Sequence, residues 1–351
     1  METIKIGNKE VGFNKPVFVI AEAGVNHNGS IELALKLIDV AKNSGADAVK
    51  FETFKAEQVA LASVPMAAYQ IKNIGKIESQ VAMLKKLELN EKFYQPIMAH
   101  CKKIGIIFLS TPHGGFESVG FLNDLGVPAF KFGSGDLTNL PVLEYAAKIG
   151  KPMIISTGMA TTEEVKRAVS HIKKTGNNKI ILLHCTTEYP CPPENVNLRA
   201  MAALKEKFGV LVGYSDHTLG INVPIMAATL GAVLIEKHMT LDKNMPGPDH
   251  NASVESEELR QMISAIKNTG AILGSRVKKP TPEELSLRNI ARKSIVSIKD
   301  TKRGELFTAN NIGIKRPGTG LEPKYYFKVL GSKAVKDIKA DVLISKNDFK
   351  K

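Results

Sequence analysis

The chain has no Trp and only three Cys, Cys101, Cys185 and Cys191. Three thiols do not make a disulfide framework, so a reducing cytoplasm is the expected compartment. Aromatic residues make up only 6% of the sequence. The formal net charge is +13, but the Lys and Arg residues are spread along the chain with no stacking platform beside a basic stripe. That excludes nucleic acid as the expected partner. Most of the charge reads as lysines on solvated helix faces, with room for an anionic small substrate. No apolar window is long enough to cross a membrane: the nearest, Gly220–Ile235, is broken by Asn222 and Pro224. The N-terminus lacks the basic, apolar and small-residue succession of a signal peptide. No G-x-G-x-x-G follows the first strand candidate, which argues against a doubly wound dinucleotide fold.

What the 351 residues do contain is an alternation. Short apolar runs, at Val17–Ala21, Ala48–Phe51, Ile106–Leu109, Ala129–Phe132, Met153–Ile155, Ile180–Leu183, Val210–Gly213 and Ala232–Ile235, are separated by longer stretches. Several of these are amphipathic, such as Ile31–Ser44, Glu91–Lys103, Thr162–Lys174 and Asn197–Lys207. Eight such units predict an α/β fold, a (β/α)8 TIM barrel, whose chemistry sits at the carboxyl ends of its strands.

Those ends are rich in reactive side chains. In order they supply Glu22; Lys50 and Glu52; Thr111; Lys131, Ser134 and Asp136; Ser156; Thr187 and Tyr189; Ser215, Asp216 and His217; and Glu236, Lys237 and His238. A polar residue closing one strand means little, but a barrel brings all eight ends to one mouth. Lys50, Lys131, Ser134 and Ser156, with the N–H groups of Gly133 and Gly135, suit a phosphate or carboxylate. Glu22, Asp216 and Asp249 suit positioning of water or hydroxyls, or proton transfer. His217 and His238 stand 21 residues apart, about one unit. From spacing they are compatible with two satisfied structural histidines or with a divalent metal site.

After about Gly274 the pattern changes. The boundaries expected are a barrel over 1–277, a polar linker over 278–290 and a small β-rich domain over 291–351. That domain carries a faint repeat, K-D-T-K-R-G-E-L-F-T-A-N-N-I from Lys299 and K-D-I-K-A-D-V-L-I-S-K-N-D-F from Lys336, offset by 37 residues. It predicts two halves about a pseudo-twofold axis. Between them I-K-R-P-G-T-G presents Arg316 on an exposed loop, by spacing alone a solvated surface arginine.

Taken together, A-E-A-G-V-N-H-N-G, A-V-K-F-E-T-F, S-T-P, K-F-G-S-G-D, S-T-G-M, L-L-H-C-T-T-E-Y-P, G-Y-S-D-H-T, I-E-K-H, G-P-D-H and K-R-P-G-T-G resemble the N-acetylneuraminate (sialic acid) synthase family over nearly the whole chain. The resemblance implies a barrel followed by an antifreeze-like (SAF) domain, in a domain-swapped homodimer. It implies condensation of phosphoenolpyruvate with an N-acetylmannosamine-type sugar, aided by a divalent metal, usually Mn²⁺, with Mg²⁺ or Co²⁺ as alternatives. By the same resemblance His217 and His238 are the metal ligands. Lys50, Thr111, Lys131, Ser134, Ser156 and Ser215 bind phosphoenolpyruvate, and Glu22, Tyr189 and Asp249 surround the sugar and the attacking water. Arg316 enters the partner subunit's active site. Glu52, Asp136 and Thr187 stand where the family often has Gln, Glu and Asn, and His113-Gly114-Gly115 replaces a common Phe-Ser segment. The K-F-x-T-F and H-C-T-T-E-Y-P versions also resemble legionaminate synthases, which use a 2,4-diacetamido-6-deoxymannose. Three rivals are a Schiff-base aldolase on Lys50, Lys131 or Lys237, a metal hydrolase on His217, His238 and Asp249, and a carbohydrate- or ice-binding module carried by the barrel.

Overall fold

The computed structural model of the chain describes residues 3–351 and divides into two compact units, up to Gly274 and Ser275–Lys351. The first begins with an antiparallel hairpin, β1 (Thr3–Ile6) and β2 (Lys9–Gly12). Eight strands follow: β3 (Phe18–Gly24), β4 (Ala48–Thr53), β5 (Ile107–Pro112), β6 (Phe130–Phe132), β7 (Met153–Ser156), β8 (Ile180–His184), β9 (Leu211–Asp216) and β10 (Leu234–His238). They form one parallel sheet in the order β5-β4-β3-β10-β9-β8-β7-β6, a nearly closed (β/α)8 barrel.

The helices around it form for local reasons. In Ile31–Asn43 the Ser30 hydroxyl accepts from Leu33 N at 3.3 Å, and Ala34, Leu37, Ile38 and Ala41 make one buried stripe against the sheet. Gly45, at φ 89°, lets the chain turn away after the last helical turn. Truncating Leu37 to Ala would cost about 2–5 kcal/mol, the usual range for a core leucine. The Thr162–Lys174 helix opens on a reciprocal cap between Thr161 and Glu164 and buries Val165, Ala168, Val169 and Ile172.

Three features depart from expectation. The hairpin lies before the first element expected, at Val17, and its Ile4, Ile6 and Val11 pack with Phe18, Ile20, Ala48, Leu109 and Ile154 into the barrel's interior layer. Between β4 and the expected helix, which runs over Glu91–Ile104, lie three that are not predicted, Ala56–Val59, Ala68–Ile74 and Gln80–Leu87. The third departure concerns the strands, several of which run two or three residues past their apolar stretch: β4 to Thr53, β9 to Asp216 and β10 to His238. The ladder is made by the backbone, so a strand does not stop where its side chains become polar.

In the second unit the expected linker contains an exposed helix, Pro282–Ala291, capped by Thr281 and Glu284. Beyond it β11 (Ser294–Ser297) pairs with β12 (Ile312–Lys315), and β13 (Lys333–Ala334) with β14 (Phe349–Lys350). Ile295, Phe307, Ile312, Leu321, Val329 and Ile344 form its core. The repeat is visible in reciprocal bonds. Asp300 accepts from Ala340 N at 2.8 Å and Lys339 Nζ at 2.9 Å; Asp337 accepts from Arg303 N at 2.8 Å and Lys302 Nζ at 3.3 Å. No helix among the described residues is long and apolar enough to cross a membrane.

Candidate active site

Side chains alternate along a strand, so Lys50 and Glu52, or Glu236 and His238, share the inward face at the barrel mouth. Register sets them beside one another: Glu22 pairs with both Lys50 and His238, Glu52 with Thr111, and Ser215 with Glu236. The result is a cavity of about 270 Å³. Glu22, Lys50, Glu52, Thr111, Lys131, Ser134, Ser156, Thr187, Tyr189, Ser215, His217, His238 and Asp249 all line it.

Two of the residues singled out in the sequence lie elsewhere. Asp136 stands behind the wall, its Oδ2 3.4 Å from His113 Nδ1, so it meets the cavity only through His113. Arg316 is an exposed residue of the second unit, just after β12. Two further assignments are corrected by the pleat. Asp216 and Lys237 point to the outer face, where they pair with each other, fully buried. Asp216 also accepts from Tyr214 and Thr218. Neither can position water nor form an imine in the cavity.

Glu236 is the functional residue the motif I-E-K-H left unassigned. Its Oε1 lies 3.2 Å from Lys131 Nζ and accepts from Ser215 Oγ at 3.0 Å, and its Oε2 is 3.8 Å from Lys50 Nζ. Lys50 also contacts Glu22 and donates to Thr111 Oγ1 at 2.9 Å. Period-two spacing from His238 is the signal that would have found it. An unpaired ammonium buried this deeply is prohibitively costly, so two lysines here require carboxylates.

The two carboxylates differ. Burial pushes Glu22 up to about 8, against the pull of Lys50. Burial acts on Glu236 in the same direction, but Lys131 and Lys50 outweigh it and hold the group near about 2. Burial also opposes the charge on Lys50, yet Glu22, Glu236 and Glu52 raise its pKa. Lys50 keeps its charge on the strength of Glu236, and Glu22 is the member that takes up a proton. Glu22 Oε1, Glu236 Oε2, Ser156 Oγ and His238 Nδ1 are buried without a hydrogen-bond partner. Each such orphan costs about 1–3 kcal/mol, and four of them on lining residues mark a place for a polar ligand.

His217 and His238 lie with ring centroids 5.5 Å apart. His217 Nδ1 is 2.6 Å from Thr186 O, which assigns the ring proton there and leaves a lone pair on Nε2, 3.0 Å from Tyr189 OH. Burial lowers the pKa of both rings, that of His238 to about 3 with the help of His217 and Lys50. Two neutral imidazoles with available nitrogens, one held by a backbone carbonyl, fit a divalent cation. Among the described residues no group of three or more His, Cys, Asp or Glu stands in metal-holding geometry.

Part of the lining is an apolar cluster that sequence reasoning missed. Val25, Phe54, Val59, Met83, Leu84 and Leu87 line the same cavity, mostly from the helices between β4 and β5. Tyr69, from the same insertion, stacks on Tyr189 at 5.2 Å.

A barrel mouth with buried lysine–carboxylate pairs, orphaned hydroxyl and carboxylate groups and two neutral imidazoles defines a class: barrel enzymes with a polar, charge-lined cavity at the strand ends. Residues 37–278 match the NeuB family and residues 292–350 the SAF domain. The N,N'-diacetyllegionaminic acid synthase of Campylobacter jejuni is 48% identical, covering 94% of this chain and 99% of that protein. The enzyme of the same description from Legionella pneumophila is 43% identical, covering 95% of each. The crystal structure of N-acetylneuraminic acid (sialic acid) synthetase from Leptospira borgpetersenii serovar Hardjo-bovis, in complex with citrate, superposes with TM-score 0.73 at 35% identity, over 82% of this chain and 96% of that one. The chain belongs to the NeuB family, the sialic acid synthases, and is an enzyme.

Proposed function

We propose that this enzyme condenses phosphoenolpyruvate with 2,4-diacetamido-2,4,6-trideoxymannose, releasing phosphate and giving N,N'-diacetyllegionaminate. The observation that carries the choice of sugar is the apolar cluster of Phe54, Met83, Leu84 and Leu87, which lines the same cavity as Lys50 and Lys131. A 6-deoxy sugar with two acetamido groups presents three methyls to such a cluster. N-acetylmannosamine, the sugar that the family resemblance puts first, presents one methyl and a hydroxymethyl that needs a polar partner. Burying a methyl contributes about 0.8 kcal/mol. The two legionaminate relatives support the same choice.

Lys50 and Lys131 hold the phosphate and carboxylate of phosphoenolpyruvate, with Thr111, Ser134, Ser156 and Ser215 donating hydroxyl bonds. This aims the methylene carbon at the aldehyde of the open-chain sugar, kept by Glu52, Thr187, Tyr189 and Asp249. The new C–C bond forms from the enol double bond, and the aldehyde oxygen takes up a proton. Water adds to the former enol carbon and loses its proton. The tetrahedral intermediate then expels phosphate by C–O cleavage. Glu22, beside Lys50, is the group placed to exchange the proton. His217 and His238 would hold a divalent ion, Mn²⁺ in the first instance, which supplies polarisation of the aldehyde oxygen when bound. The enzyme works as a homodimer in which Arg316 reaches the partner's barrel, and in a reducing cytoplasm, in keeping with three free, buried cysteines.

Phosphate release from phosphoenolpyruvate, measured with each sugar in the presence of Mn²⁺, tests this. The diacetamido sugar should be favoured in kcat/KM by about tenfold or more, since an apolar pocket rejects an added hydroxyl by no more than about a hundredfold. Equal or better use of N-acetylmannosamine overturns the choice of sugar. No phosphate release with either overturns the synthase.

A further inference from the structure

His113 occupies the turn after β5, and its setting is fixed from three sides. Its backbone N donates to Thr53 O at 2.9 Å, which ties it to the end of β4. Its ring lies against Gly133, where a Cβ would come within 3.1 Å of His113 Cε1. Its two nitrogens face two carboxylates: Nε2 is 3.5 Å from Glu52 Oε1 and Nδ1 3.4 Å from Asp136 Oδ2. Glu52 in turn lines the cavity shared with Asp249 and Tyr69. A carboxylate is an acceptor only and costs heavily inside a cavity unless a cation accompanies it. Lys50 and Lys131 both face Glu236, and the ion pair that Glu52 makes is with His113, which leaves His113 as the cation of Glu52.

We propose that His113, anchored by Asp136, is a positioning residue that holds Glu52 as a fixed anion, so that Glu52 accepts a hydrogen bond from an acylamino N–H of the sugar. This rests on the synthase reading above and adds the recognition of the nitrogen substituent. The clamp is long in the free enzyme, as such contacts often are before substrate arrives. Its effect should fall on the sugar more than on phosphoenolpyruvate, because among the described residues neither His113 nor Glu52 forms an ion pair with Lys50 or Lys131, which pair with Glu22 and Glu236. A neutral amide at position 52 would still accept from the N–H and would need no cation beside it.

The test is a double-mutant cycle on KM, with 2,4-diacetamido-2,4,6-trideoxymannose and N-acetylmannosamine as alternative sugars. His113→Phe should raise the sugar KM about tenfold, the loss of one charge-assisted contact, and leave the KM for phosphoenolpyruvate within about twofold. His113→Gln, which keeps a donor but no charge, should behave likewise and serves if the Phe variant does not fold. Glu52→Gln/His113→Phe should recover sugar KM to within about threefold of wild type, because the amide needs no counter-charge. An unchanged sugar KM in both His113 variants, full function in His113→Gln alone, or losses that add in the double variant would each overturn the proposal. Wild-type enzyme inactive with both sugars would overturn the synthase reading, and this proposal with it. Active wild type with unaffected variants would overturn only the role of His113.

Discussion

Glu236 Oε1 lies 3.2 Å from Lys131 Nζ, and this one contact organises the anion end of the cavity. Glu236 neutralises Lys131, holds Ser215 and faces Lys50, so the free enzyme keeps two ammonium groups ready without leaving them unpaired. In the proposed complex, phosphoenolpyruvate would take over part of that compensation.

Glu236→Gln should therefore destabilise the free enzyme more than the complex. Breaking a buried pair by removing one partner costs about 3–5 kcal/mol. A thermal melt should show a clear drop in Tm without ligand and a larger rise on adding phosphoenolpyruvate than wild type shows. Equal ligand-induced rises in the two proteins would remove Glu236 from this role. Lys131→Met, by contrast, should raise the KM for phosphoenolpyruvate far more than that for the sugar.

Metal removal bears on the histidine pair. Exhaustive chelation should abolish phosphate release, and Mn²⁺ should restore it. His217→Ala and His238→Ala should each lower kcat by at least about a hundredfold and weaken Mn²⁺ binding measured by equilibrium dialysis. Full activity in chelated enzyme would sink the assignment.

The pH dependence of stability bears on Asp249. Burial, assisted by the charge of Glu52, pushes Asp249 up to about 7 from an ordinary value of 3.8. The folded protein thus binds this proton more tightly than the unfolded chain. The stability so gained is fully present below about pH 4 and is lost as pH rises through about 7. Asp249→Asn should raise Tm at pH 8 by about 1–3 °C and leave it nearly unchanged at pH 4, while lowering activity. A Tm difference of the same size at both pH values would show that the carboxyl does not titrate in this way.

Complementation tests Arg316. If it serves the partner's barrel, Arg316→Ala and His217→Ala homodimers should each be nearly inactive. Mixed dimers place both lesions in one site and leave the other intact, so they should recover up to about half of wild-type activity. No recovery in mixed dimers confirmed by mass spectrometry would rule out the swapped arrangement.

The linear sequence by itself determined the barrel, because eight apolar runs with helix-length spacings admit few other solutions. It also determined most of the site, since a barrel gathers strand ends whatever lies between them. The 37-residue repeat was equally legible, and the reciprocal bonds of Asp300 and Asp337 are its physical form. Tertiary structure alone decided which face each strand-end residue takes. Asp216 and Lys237 look as reactive in sequence as Ser215 and Glu236, but one step along the pleat turns the first pair into a buried structural ion pair. It alone decided that the stretch between β4 and β5 lines the cavity with an apolar cluster. It alone brought His113 between Glu52 and Asp136, residues from three strand ends far apart in the chain. Periodicity reports which way a side chain points within one element; which groups from different elements meet is set only when the sheet closes.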